Sequence, residues 1–121
     1  MHVDEKMLDD VWIVLHNKQM RMIFKFIGKD GSYRYSDIKN HINSFSNQNT
    51  STGRTAYYIR RMLNAGVIKL DEDTKTYILT RIGCRCLEVM IDFENICSKY
   101  DLSDCKADGM VVLKNIVVGR K

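Results

Sequence analysis

Four basic side chains, Arg54, Arg60, Arg61 and Lys69, fall in the window 51–70, which holds no Asp or Glu. Ser51, Thr52, Tyr57 and Tyr58 share that window. A guanidinium carries its donors in a planar fork that bridges two acceptors, either phosphate oxygens or O6 and N7 of a guanine. Hydroxyls and backbone N–H groups at a helix start favour a phosphate. These residue types at this spacing therefore fit recognition of a polyanion. The formal net charge of the chain is +4, and the window supplies a charge equal to all of it, because the remaining residues sum to zero. A local basic patch on a near-neutral body is the electrostatic footprint of a nucleic-acid binder. The alternative is a solvated helix face.

The thiols and imidazoles point to less chemistry. Cys84 and Cys86 are spaced C-x-C, which on a helix sends the two thiols to different faces, and Cys97 and Cys105 add no zinc-type pair. His2, His16 and His41 do not cluster in sequence. Cys86 and Cys97 share a helix face but lie about 16 Å apart at helical rise, too far to bridge within one helix. A bridge between two chains, a redox sensor and buried reduced thiols all remain open. There is no phosphate-binding glycine loop, no nucleophile motif and no paired-carboxylate motif. The expectation is no metal, no cofactor and no catalytic residue.

With 121 residues the chain has the length of one domain, 1–121. It lacks any run of 18 apolar residues, and its first residues lack the basic start and apolar stretch of a signal peptide. The expectation is a cytoplasmic protein with no membrane span. The absence of proline suits a mainly helical chain.

The elements that would hold the basic window follow from periodicity. Asp4 can cap a helix with Leu8, Val11, Trp12 and Leu15 on one face, although Val11 to Leu15 also fits a buried strand. Asn17 caps a second helix with Met20, Ile23, Phe24 and Ile27, which Gly28 and Gly31 end. Tyr33 to Tyr35 is β-leaning. Ser36 reads as the N-cap of a short helix with Asp37 in its first turn and Ile38 and Ile42 on its buried side. Asn43 to Thr50 has the composition of a loop. Ser51 or Thr52 caps a helix over about 51–65 whose apolar stripe is Ala56, Ile59, Met62 and Leu63, and Gly66 stops it. Val67 to Leu70 and Thr76 to Thr80 form a hairpin around the acidic turn Asp71-Glu72-Asp73. Ile82, Cys86, Val89, Phe93, Ile96 and Tyr100 then recur at 4, 3, 4, 3, 4, the spacing of a two-helix seam or of a helix packed on its own domain. The tail 101–121 is undecided between strand and helix.

Taken in this order, three segments carry a family likeness: Tyr35-Ser36-Asp37-Ile38, then Tyr57 through Ile68, then Tyr77-Ile78-Leu79-Thr80-Arg81-Ile82-Gly83. Over about residues 17–100 the chain resembles the winged helix-turn-helix superfamily of transcription regulators. Its closing helix resembles that of small archaeal or archaeal-virus regulators that dimerise through it. The resemblance implies a mainly α fold with a small β-hairpin: a winged-helix core at 17–80, a dimerisation helix at 81–100 and a tail. It also implies a sequence-specific regulator that binds double-stranded DNA as a homodimer and puts the 51–65 helix into the major groove.

On that reading Arg54 reaches a guanine, and Tyr57 and Tyr58 touch a thymine methyl or a phosphate. Arg60 and Arg61 hold phosphates, as do Ser51 and Thr52 at the helix start, and Lys69 and Lys75 reach phosphates from the strand stems. Ile82, Cys86, Val89, Phe93, Ile96 and Tyr100 form the dimer interface. Two features depart from the family pattern: the long segment between the two motif helices, and an acidic wing tip that repels phosphate. The rival readings are a winged-helix protein–protein interaction module and a redox- or ligand-responsive variant.

Overall fold

The computed structural model describes residues 2–45 and 52–99. Asp4 begins helix α1 (Glu5–His16) by accepting the Met7 N–H at 3.1 Å, so the Val11 to Leu15 run is helical. Asn17 does two tasks. Its own N–H closes α1 on Val14 O, and its side chain accepts the Met20 N–H at 2.9 Å to open α2 (Lys18–Ile27). In α2 the residues Met20, Ile23, Phe24 and Ile27 are all buried, the i, i+3, i+4, i+7 pattern of a core-facing helix. The helix packs against α1, α3, α4 and β2 and forms the centre of the core.

On α1 the buried side differs from the expected face. Val14 is the fully buried residue, Val11 and Leu15 are half-buried, and Leu8 and Trp12 lie outward, Trp12 with 68% of its surface exposed. A helix with five consecutive apolar residues offers more than one apolar face, and contact with α2 and α4 selects the one centred on Val14.

Helix α3 (Tyr35–Ser44) starts earlier than its sequence signal. Arg34 is the N-cap, with Asp37 reaching back to its N–H at 3.2 Å, so Ser36 sits inside the first turn. The helix buries Ile38 and Ile42 as expected and takes in Asn43 and Ser44, which shortens the expected loop from its N-terminal side. Residues 46–51 lie outside the described part.

Helix α4 (Thr52–Asn64) ends in a Schellman turn. Gly66, at φ +79°, donates to Leu63 O at 3.0 Å, and Val67 donates to Met62 O at 3.2 Å. A side chain at Gly66 would have to adopt the left-handed region that glycine enters without strain. The chain runs directly into strand β1 (Ile68–Asp71), which pairs antiparallel with β2 (Thr76–Leu79) in the register Ile68 with Leu79. Tyr33 and Tyr77 exchange both backbone hydrogen bonds, so the β-leaning step lies along the outer edge of β2.

Thr80 was expected to end the second strand; it instead caps helix α5 (Arg81–Lys99). Its hydroxyl donates to Gly66 O and accepts the Gly83 N–H, and its N–H donates to Val67 O. One residue thereby ties the end of α4 to the start of α5. The chain divides into two compact units, 1–89 and 90–121, and α5 passes from the first into the second. No helix of the described residues is long and apolar enough to cross a membrane.

Candidate nucleic-acid interface

The sequence window 51–70 resolves into α4, the Schellman turn and β1. The face that α4 buries is Thr55, Tyr58, Ile59 and Met62, again at i, i+3, i+4, i+7. This rotates the helix relative to the expected stripe: Ala56 is half-buried and Leu63 is exposed. Two amphipathic residues thus take core positions that a hydrophobicity reading assigns elsewhere.

Tyr58, expected to face the nucleic acid, is 4% exposed and belongs to the core. Its ring lies 5.9 Å from that of Tyr57, which points outward. A side-chain hydrogen bond with Tyr58, followed by the coulombic interaction between the two, raises the pKa of Arg54. Tyr58 is therefore a positioning residue for the Arg54 guanidinium.

Rotation also settles which cations α4 presents. Tyr57 and Arg60 are exposed on the side opposite the core face, and Arg54, exposed, and Arg61, half-buried, stand on its flank. Arg54 and Arg61 are seven residues apart, two turns along one line of the helix. Thr52 is the first residue of α4; Ser51 lies outside the described residues. Lys69 is exposed on β1. Lys75 is exposed at the hairpin, at φ +57°, and its ammonium is paired with Glu72 at 3.0 Å. That pairing occupies one of the two cations expected to offset the acidic tip, where Asp71 also accepts the Asp73 N–H at 3.0 Å. The cations of the window that stand clear of the acidic tip lie on α4 and the β1 stem.

Thr55 is fully buried, and its hydroxyl has no hydrogen-bond partner among the described residues. A buried hydroxyl without a partner costs about 1–3 kcal/mol. Thr55→Val keeps the shape and removes that group, so it is expected to raise stability by about 1 kcal/mol. Urea denaturation of the two proteins measures the difference, and a lower midpoint for the variant contradicts this account of Thr55.

Between α2 and α3 runs a line of four rings. Tyr33 stacks on Phe26 at 4.2 Å, Phe26 on His41 at 4.0 Å, and His41 meets the edge of Phe45 at 4.8 Å. Desolvation lowers the His41 pKa below its ordinary 6.5. The unfolded chain then takes up the proton first as pH falls. Stability is complete above pH about 6.5 and declines as pH drops from there through the lower folded-state pKa. The urea midpoint is expected to decrease between pH 7.5 and pH 5.5, and His41→Phe, which keeps the stack, is expected to flatten that dependence. An unchanged slope in the variant contradicts the assignment.

On α5 the expected seam residues Ile82, Val89, Phe93 and Ile96 are exposed and Cys86 is half-buried; Tyr100 lies outside the described residues. The buried residues of this helix are Gly83, Leu87 and Met90, on a neighbouring stripe. Burial pushes the Cys86 thiol pKa up, which keeps it protonated and weakly nucleophilic near neutrality. Among the described residues no group of three or more His, Cys, Asp or Glu side chains comes together as a metal site. Comparison of the chain with protein-family models, with curated proteins and with solved structures found no match.

Proposed function

We propose that this protein is a double-stranded DNA-binding regulator of the winged helix-turn-helix type, in which α4 enters the major groove. The observation that carries the reading is the composition of the outward side of α4: Arg54, Tyr57, Arg60 and Arg61, with no acidic side chain anywhere in the helix. The major groove is about 12 Å wide and admits one helix. Arg54 stands in the first turn, where a groove-bound helix comes nearest the base edges, and the Tyr58 hydroxyl pre-orients it. Arg60, Arg61 and Lys69 serve the phosphates. The helix order and the edge pairing of Tyr33 with Tyr77 support the winged-helix arrangement.

The exposed stripe on α5 supports a homodimer, in which each copy reads one half-site. A cytoplasmic location accords with three unbridged cysteines among the described residues. One observation favours a second reading, a protein–protein interaction module: α1 leaves Leu8 and Trp12 exposed together, one turn apart, on a helix that also exposes Glu5 and Asp9.

Selection from a pool of random duplexes by the full chain tests the proposal. Enrichment of a motif, with a repeat spacing set by the dimer, is the expected result. Retention of no duplex at low salt overturns it in favour of the interaction module.

A further inference from the structure

We infer that the outward side of α2 holds the phosphate backbone of a second duplex segment, so that one molecule joins two stretches of DNA. The inference rests on the duplex-binding reading above and adds a face that α4 does not include. From Val11 to Lys29 the chain has no Asp or Glu, and it carries Lys18, Arg21, Lys25 and Lys29. That is as many cations as the window 51–70 holds. Asp4, Glu5, Asp9 and Asp10 offset them in a charge sum over the first half of the chain, but all four belong to α1 and its cap.

The fold gathers these cations on one side. Helix α2 turns Met20, Ile23, Phe24 and Ile27 into the core. Lys18, Arg21 and Lys25, at i, i+3 and i+7, take the opposite side, with both lysines exposed. Lys29 stands exposed just past the C-cap Gly28. Arg21 is half-buried and donates from its guanidinium to Leu15 O at 2.9 Å, which fixes it at the junction of α1 and α2. A guanidinium with five N–H donors can hold a phosphate as well. Helix α2 leaves no large apolar side chain exposed. A protein partner needs apolar or aromatic anchors, and a membrane surface needs an apolar face to insert. A phosphate backbone needs charge alone. Helices α2 and α4 pack against each other and bury their apolar faces in the same core. Their outward sides therefore belong to separate parts of the surface, and a straight duplex along α4 leaves α2 for another segment.

A two-duplex capture assay with the full chain tests the second face. A duplex selected by the protein is fixed to beads, the protein is loaded, and a fluorescent duplex of unrelated sequence is added at low salt. The wild type is expected to retain the fluorescent duplex and to release it steeply as salt rises. The variant K18Q/K25Q/K29Q is expected to load on the beads with unchanged sequence preference, which shows that it is folded. It should flatten the salt slope of the second capture by about 0.9 for each lysine removed. Equal capture by variant and wild type overturns the inference. Polyglutamate bound in place of the second duplex overturns it in favour of an acidic protein partner. A wild type that loads and captures nothing ends the second face alone, whereas one that loads on no duplex ends the DNA-binding reading with it.

Discussion

Gly83→Ala is expected to lower the stability of the fold by about 3 kcal/mol, opposite in sign to what helix propensity alone predicts. Within a helix alanine is favoured over glycine by about 1 kcal/mol, so a glycine in the first turn of α5 needs a reason. The reason is the approach of α5 to the turn after α4. A methyl group at Gly83 would stand 1.9 Å from the Val67 carbonyl oxygen and 2.9 Å from its carbon. Both are backbone atoms that no rotamer change can move. The oxygen already accepts the Thr80 N–H at 3.0 Å, and Thr80 in turn caps Gly83. Making room separates α5 from the Schellman turn and breaks the capping bonds of Thr80 together. Urea denaturation followed by circular dichroism reads the effect as a midpoint lower by roughly 2 M. A midpoint at or above that of the wild type contradicts the close approach.

The second large effect concerns recognition. Arg54→Ala is expected to cost about 1–3 kcal/mol of discrimination between the preferred duplex and one with a substituted guanine. It should weaken binding to unrelated duplexes much less. Arg60→Gln and Arg61→Gln should weaken all duplexes alike and each reduce the salt slope by about 1. Tyr58→Phe keeps the buried ring and removes the hydroxyl that holds Arg54, so it should fall between, with lost discrimination and near-normal charge dependence. Competition binding with matched and mismatched duplexes measures all four. Equal losses on every sequence for Arg54→Ala would place that guanidinium on phosphate rather than on a base.

Much of the fold can be read in the chain where one signal dominates. Helix α2 carries a single apolar stripe, and all four of its residues are buried. Asp4 and Asn17 are side-chain acceptors immediately before apolar periodicity, and both cap. Gly66 is a glycine where a helix must stop, and it is left-handed. Reading fails where a segment offers two solutions. On α1 a continuous apolar run leaves the buried face to tertiary contact, and Trp12 goes outward. On α4 the core accepts Thr55 and Tyr58, whose polar atoms place them low on any apolar ranking, and this turns the helix away from Ala56 and Leu63. Arg34 is a cap through its backbone and its partner Asp37, for which its own side-chain type gives no cue. Thr80 fits a strand by propensity and a cap by its hydroxyl, and the junction with Gly66 and Gly83 decides for the cap.

The candidate site was legible as a charge pattern more than as a geometry. The exposure of Arg54 and Tyr57 agrees with the expected outward side of α4; Arg60 is exposed as well, and Arg61 is half-buried. The inward position of Tyr58 and the pairing of Lys75 with Glu72 are tertiary facts that charge counting does not contain. Their common effect is to concentrate the proposed contacts on α4 itself.

Salt-dependent duplex binding tests that claim most directly. With Arg60, Arg61 and Lys69 on phosphates, the logarithm of the affinity should fall against the logarithm of salt concentration with a slope of about −2.7 per subunit, or about −5 for a dimer. No measurable affinity for any duplex at low salt, or a slope near zero, would contradict DNA binding through α4.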